Sequence, residues 1–204
     1  PYILKCNSSN SLTNIKDQAL TGNVQDAIRL GCTGVGFTIY PGSEFNHKLM
    51  EQACGLFRDA KEAGLITVLW SYARGDISKK GETAINIISY AAHMACLCGA
   101  HIIKVKLPTS YLEEDPTKDS FVKNNIKIES AEDRVRIIKR SCFDGRRIVI
   151  FSGGEAKNDD ELLKEIKAIK DGGGNGSIVG RNCFQRPKNK ALELIDKMIS
   201  IYKD

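Results

Sequence analysis

Two lysines, Lys104 and Lys106, lie in an otherwise apolar segment, residues 100–108, that ends in proline. Side chains alternate across a β-strand, so both lysines share one face of the predicted strand with Ile102. A lysine amine becomes a nucleophile toward carbonyl carbons when burial or a nearby cation lowers its pKa. Lys104 is therefore a candidate for covalent catalysis, with Lys106 as the nearby cation. The segment alone leaves open a strand end at which both lysines extend into solvent.

Tyr72 is a second candidate, because it ends the apolar run 65–72 and shares a predicted strand face with Val68 and Trp70. Neighbouring strands lie about 4.8 Å apart, so Tyr72 and Lys104 can serve one substrate carbon. A tyrosine hydroxyl both donates and accepts hydrogen bonds, so it can transfer a proton while the lysine forms an iminium. The alternative is that the two aromatic residues belong to the core.

Two glycine-containing strand ends are candidates for anion binding. Ser152-Gly153-Gly154 presents backbone N–H groups where there are no Cβ atoms. Gly180-Arg181-Asn182 adds N–H donors and a guanidinium group that can bind phosphate with two hydrogen bonds. Each is common turn chemistry by itself, but the pair on the last two predicted strands indicates a phosphate site. Gly172-Gly173-Gly174 precedes the last strand and is predicted to form only a turn.

Six predicted strands alternate with helices and must position these residues. The strands are residues 2–6, 34–40, 65–72, 101–107, 147–151 and 176–180. The helices are residues 23–30, 45–63, 81–99 and 130–141, and two more that begin at Asn158 and near Pro187. This alternation predicts a parallel α/β fold.

Two parallel architectures compete. An open doubly wound sheet would carry a phosphate-binding glycine motif after its first strand, and the sequence has no GxGxxG or Walker motif. A (β/α)8 TIM barrel binds phosphate after its last two strands. We therefore expect residues 1–204 to form a single barrel domain that lacks the first two β/α units, so that its third to eighth strands are present. Residues 108–130 are expected to form a long polar loop on the active-site side.

Composition excludes several classes of protein. The chain of 204 residues is 42% hydrophobic and 27% charged, with a net charge of +5 and no dense basic cluster, so we expect no nucleic-acid partner. No apolar run is long enough to cross a bilayer, so we expect no membrane association. The seven scattered cysteines fit reduced thiols of a cytoplasmic protein. The three histidines are far apart, so we expect neither a metal site nor a cofactor.

Five segments occur in order along the chain: Thr38-Ile39-Tyr40-Pro41-Gly42-Ser43, Leu69-Trp70-Ser71-Tyr72-Ala73-Arg74-Gly75, Ile103-Lys104-Val105-Lys106, Ser152-Gly153-Gly154 and Val179-Gly180-Arg181-Asn182. Together they resemble the class I fructose-1,6-bisphosphate aldolases of archaeal and bacterial type. The resemblance implies that Lys104 forms a Schiff base with dihydroxyacetone phosphate and that Tyr72 donates a proton.

The resemblance also implies substrate-binding roles for Trp70, Arg74, Lys106, Ser152, Gly153, Gly154, Gly180 and Arg181. It implies reversible, metal-independent cleavage of fructose 1,6-bisphosphate to dihydroxyacetone phosphate and glyceraldehyde 3-phosphate, in glycolysis and gluconeogenesis, by a homo-oligomer. The Asp-His-Gly segment on the family's first strand is absent from residues 1–204. The loop 108–130 is also longer than in the shorter archaeal members. Another Schiff-base aldolase or transaldolase-like lyase for a different sugar phosphate, and a non-catalytic phosphate-binding barrel, remain alternatives.

Overall fold

Six parallel strands form one sheet in the order in which they occur along the chain. The structure, a computed structural model, describes residues 1–152 and 158–203. The six strands are β1 (Ile3–Lys5), β4 (Gly34–Ile39), β5 (Ile66–Ser71), β6 (Ile102–Lys106), β7 (Ile148–Ser152) and β8 (Gly176–Ile178). Their order in the sheet is β1-β4-β5-β6-β7-β8, which is the curled, sequential arrangement of a TIM-barrel-like fold.

Helices connect these strands. They are α1 (Val24–Arg29), α2 (Asn46–Glu62), α3 (Ile85–Leu97), α4 (Asp115–Lys123), α5 (Ala131–Ser141), α6 (Asp159–Asp171), α7 (Arg181–Phe184) and α8 (Lys188–Lys203), with a 3₁₀ turn at Gly81–Thr83 before α3. Polar side chains begin several of them: Asn23 and Asp26 form a capping box on α1, while Ser130 and Asn158 cap α5 and α6. None of the helices in the described residues is both long and apolar enough to cross a membrane.

The helix-facing side of the sheet forms the hydrophobic core. Ile103 and Val105 on β6 are fully buried there, as are the corresponding residues of the neighbouring strands, Val35, Phe37, Ile39, Leu69, Val149 and Phe151. Burial of these branched and aromatic side chains favours the sheet–helix packing by about 1.5–3 kcal/mol for each residue. Because side chains alternate, the other residues of β6, including Lys104, lie on the inner face of the sheet.

The structure confirms the predicted fold class and all six predicted strands, each with its ends shifted by a few residues at most. The segment 108–130 contains one short helix, α4, whose residues are all at least partly exposed. A two-residue antiparallel pair, β2 (Asn7–Ser8) with β3 (Ala19–Leu20), follows β1 in a region where the sequence predicts only a polar loop. Strands this short leave no periodic pattern in a sequence.

Candidate active site

Lys104 lies at the centre of the inner face, level with Trp70 on β5 and Ile150 on β7. Its amine is 5.9 Å from the centroid of the Trp70 ring. Among residues 1–152 and 158–203, no hydrogen bond or ion pair engages that amine. Burial lowers the pKa of Lys104 below its ordinary value of 10.5, because the charged form is poorly solvated there. More of the amine is therefore in the neutral, nucleophilic form at neutral pH.

Tyr72 follows the end of β5, and the side chain of Ser152, the last residue of β7, acts on its hydroxyl. Because β6 lies between β5 and β7, this interaction spans β6 above the level of Lys104. Burial raises the pKa of Tyr72 to about 12, against the opposing effects of the Ser152 side chain and the Arg74 charge. The phenol therefore stays protonated and can donate a proton beside the lysine.

The Trp70 ring can occupy its position only because residue 36 on β4 is glycine. A Cβ atom on Gly36 would lie 2.2 Å from Cζ3 and 2.6 Å from Cη2 of the indole ring. The ring therefore occupies space that any residue other than glycine would fill. Since Gly36 shares the inner face with Thr38, Trp70 forms the wall of the site between β4 and β6.

The loops that follow β4 and β5 are bonded to each other, and this fixes the segment that carries Tyr72 and Arg74. The backbone N–H of Asp76 donates to the carbonyl oxygen of Gly42 (2.8 Å). Gly75 has φ +109°, and a Cβ atom there would lie 2.2 Å from the same oxygen. Glycine is therefore required at position 75 for both conformational and steric reasons. Arg74 is half-buried beside this turn and acts electrostatically on Tyr72.

Lys106 forms an ion pair with Glu82 of the 3₁₀ turn, with 2.9 Å between Nζ and Oε2. Burial opposes ionisation of Glu82, but its hydrogen bonds and charge contacts with Lys106 and Lys79 outweigh burial, and the pKa of the carboxyl group falls. Lys106 is thus neutralised by a carboxylate, and burial is the cause of the lowered pKa of Lys104. Of the two causes that the sequence offered for a lowered pKa of Lys104, burial is the one that the structure supports.

The predicted phosphate-binding residues lie on neighbouring strand ends. Ser152 ends β7, and Gly180 and Arg181 follow β8, with both of the latter exposed at the start of α7. Gly153 and Gly154 lie outside the described residues. The structure therefore brings Lys104, Trp70, Tyr72 and Ser152 together, with Lys106 adjacent but paired. Gly180 and Arg181 lie at the carboxyl end of the neighbouring strand.

Lys5 on β1 is an inner-face lysine that the sequence argument missed. Its backbone is in register with Gly36, and its amine lies 5.9 Å from the Trp70 ring centroid, the same distance as that of Lys104. Burial lowers its pKa to about 8, partly opposed by Cys6. The alternation that singled out Lys104 also applies to β1, where Ile3 and Lys5 share one face, so the predicted strand 2–6 already contained the signal.

The chain matches the family model described as DeoC/LacD family aldolase over residues 1–186. The class 1 fructose-bisphosphate aldolase of Thermoproteus tenax is 34% identical over 188 residues, which are 91% of this chain and 62% of that protein. A Methanocaldococcus jannaschii protein named fructose-bisphosphate aldolase/6-deoxy-5-ketofructose 1-phosphate synthase is 31% identical, over 98% of this chain and 61% of its own length. The chain thus spans about three fifths of the length of these curated relatives.

A solved structure is also similar. It is an archaeal fructose-1,6-bisphosphate aldolase whose catalytic lysine is covalently bound to the carbinolamine intermediate of the substrate. The similarity has a TM-score of 0.80 and 30% sequence identity, and it covers all of this chain and 72% of that one. The family match extends over most of the chain, and the inner-face lysine and tyrosine suit the chemistry of such enzymes. The chain belongs to the DeoC/LacD aldolase family.

Proposed function

We propose that this protein is a class I fructose-bisphosphate aldolase that cleaves fructose 1,6-bisphosphate reversibly to dihydroxyacetone phosphate and glyceraldehyde 3-phosphate through a Schiff base on Lys104. One observation carries the proposal: a half-buried amine with a lowered pKa lies on the inner sheet face, with Trp70 on one side and Tyr72 and Ser152 above it. The names of the relatives and the carbinolamine structure support the same substrate and intermediate.

The first steps build an electron sink on Lys104. Its neutral amine attacks the C2 carbonyl to give a carbinolamine, which loses water to form a protonated imine. The electron pair of the C3–C4 bond then moves into the imine while the C4 hydroxyl gives up its proton to a base. The aldehyde leaves, and an enamine remains on the lysine.

The enamine must gain a proton at C3 before hydrolysis releases the ketone. Tyr72 is suited to this step, because a pKa of about 12 keeps its hydroxyl protonated and its hydroxyl interacts with Ser152 on the far side of β6. The proton that the phenol donates is replaced from water. Hydrolysis of the resulting imine returns Lys104 as a free amine and releases dihydroxyacetone phosphate.

The strand ends beyond Lys104 supply the groups for the phosphate next to the reacting carbonyl. Ser152, Gly180 and Arg181 lie at the carboxyl ends of β7 and β8, where barrels of this type bind phosphate. Gly153 and Gly154 join this group by sequence alone. Arg74 lies on the other side of Lys104, after β5, and is assigned to the part of the sugar that leaves as the aldehyde.

The second name of the M. jannaschii relative favours one further candidate, in which the same Schiff base acts on a different sugar phosphate. A panel of ketose phosphates and aldehydes separates the two candidates.

The free state of all seven cysteines supports the expectation of a reducing, cytoplasmic compartment.

Borohydride trapping tests the proposal. Incubation with dihydroxyacetone phosphate and sodium borohydride should add one reduced ligand, which peptide mass spectrometry locates on Lys104. The adduct should disappear in Lys104→Met and persist in Lys106→Met, which alters the other lysine of the same strand face. Absence of an adduct on the wild-type chain, or an adduct that survives in Lys104→Met, would refute the proposal.

A further inference from the structure

Lys5 is an inner-face cation for which the Schiff-base chemistry gives no role. Its amine and that of Lys104 each lie 5.9 Å from the centroid of the Trp70 ring, so the two amines are at most about 12 Å apart. Strands β4 and β5 separate β1 from β6 in the sheet. The two lysines therefore approach the same aromatic wall from different strands of one concave face.

The Lys5 amine is held by two oxygen atoms of one residue, Asn7. It donates to the backbone oxygen of Asn7 and to Asn7 Oδ1 (2.9 Å). Asn7 is fully buried, and its amide accepts from the N–H of Thr38 (2.8 Å) and donates to the Thr38 carbonyl (2.8 Å). Because Thr38 already satisfies both ends of the Asn7 amide, Lys5 is not needed to pair that side chain.

The third N–H of Lys5 is held loosely. An ammonium group has three donors, and the third points to Gln18 Oε1 at 3.5 Å, the outer limit of a hydrogen bond. Gln18 is fixed by a separate hydrogen bond of 2.6 Å from its Nε2 to the hydroxyl of Tyr40. Gln18 therefore does not follow the ammonium closely, and one N–H is available to an oxygen that approaches from the inside of the sheet.

Sheet order gives the direction from which that oxygen would come. The candidate groups for the phosphate beside the carbonyl are at the ends of β7 and β8, on one side of Lys104. A substrate bonded to Lys104 at its carbonyl carbon must then extend its remaining carbons to the other side, toward β5, β4 and β1. Lys5 is the inner-face lysine on that side among the described residues.

We infer that Lys5 is a substrate-binding residue that donates its third N–H to an oxygen of the part of the sugar phosphate that leaves as the aldehyde. The inference rests on the proposed function and extends it, because it assigns recognition of the second product to β1. Lys104 and the ends of β7 and β8 then hold the ketone part, while Lys5 and Arg74 hold the aldehyde part.

Trp70 makes the test direct, because it is the only tryptophan in the chain and contacts both lysines. Its fluorescence can be titrated separately with glyceraldehyde 3-phosphate and with dihydroxyacetone phosphate. In Lys5→Met, the Kd for the aldehyde phosphate should rise at least tenfold, which is about 1.4 kcal/mol. The Kd for dihydroxyacetone phosphate, and its trapping on Lys104, should change less than twofold. In the condensation direction, KM for the aldehyde should rise and KM for the ketone should not.

Two further variants complete the design. Lys5→Gln removes the charge but keeps an amide that can bond to Asn7, so it should show the same selective loss even if Lys5→Met does not fold. Lys167→Met removes an exposed lysine of α6 and should leave both affinities unchanged. Circular dichroism checks that each variant is folded.

Three results would overturn the inference or locate a failure elsewhere. If the affinities for both ligands fall equally, Lys5 only supports Trp70. If the affinity for the aldehyde phosphate is unchanged, Lys5 does not contact the substrate. Either result overturns the inference. If the wild-type chain binds the aldehyde phosphate through Lys5 but forms no adduct with the ketone, the proposed function fails and the Lys5 contact stands. In Lys104→Met the fluorescence titration of the aldehyde phosphate involves no covalent step at position 104, so the two failures are distinguishable.

Discussion

Replacing Gly36 with alanine tests whether the absence of a side chain at this position of β4 determines where the Trp70 ring lies. The new Cβ atom would lie 2.2 Å from Cζ3 of the ring, 2.6 Å from Cη2 and 3.3 Å from Cγ2 of Ile3. Carbon atoms in contact are about 3.5–4.0 Å apart, so the ring would have to move by about 1.3 Å or more. An indole is rigid, so the movement must shift the whole side chain, not only its far end.

The displacement has consequences for both stability and activity. Overpacking of this kind costs about 1–3 kcal/mol, offset by the roughly 0.5–1 kcal/mol that alanine gains over glycine within a strand. We therefore expect Gly36→Ala to lower the free energy of unfolding by about 1–2 kcal/mol. A shift of about 1 Å in a group that shapes a site can reduce the rate on the order of 10²-fold. We therefore expect kcat/KM to fall by about that factor while the protein stays folded.

Urea unfolding followed by circular dichroism and a coupled cleavage assay measure the two effects. Gly55→Ala is the matched control, because Gly55 lies in α2 and nothing lies within 4 Å of its added Cβ. That variant should be more stable by about 1 kcal/mol and fully active. Adding Trp70→Leu to Gly36→Ala should restore stability but not activity. If Gly36→Ala has wild-type activity and unchanged Trp70 emission, the glycine does not position the ring.

Two further predictions concern the reacting groups. Tyr72→Phe should lower kcat on the order of 10²-fold or more while adduct formation on Lys104 persists, because only the proton donor is lost. Tyr90→Phe, which alters a tyrosine at an exposed position, should have no effect on kcat. A Tyr72→Phe enzyme with unchanged kcat would contradict the assignment. The rate of adduct formation should rise with pH, because the neutral amine is the nucleophile, and reach half its maximum below pH 10.5, since burial lowers the pKa of Lys104. A midpoint at or above pH 10.5 would contradict the assignment, because it would mean that burial does not lower the pKa of the reacting amine.

The sequence was sufficient to predict the sheet and the face on which several candidate residues lie, because both follow from the same physical rule. Alternation along a strand fixes the face of every side chain, so Trp70 and Lys104 follow from apolar runs with correctly placed ends. Lys5 did not follow, although its strand was predicted, because its significance depends on the hydrogen bond that it donates to Asn7. Asn7 in turn bonds to Thr38, which is 31 residues away in sequence. No local pattern connects them, and only the folded sheet brings them together.

The structure separates the two causes that the sequence offered for a lowered pKa of Lys104. Either burial or the charge of Lys106 could lower it, but Lys106 is paired with the carboxylate of Glu82, 24 residues earlier. What remains is desolvation of Lys104. Activation by a neighbouring cation depends on ionic strength, whereas activation by burial depends on the packing that keeps water away. The aromatic wall of Trp70 and the glycine that admits it therefore contribute to the burial that lowers the pKa of Lys104.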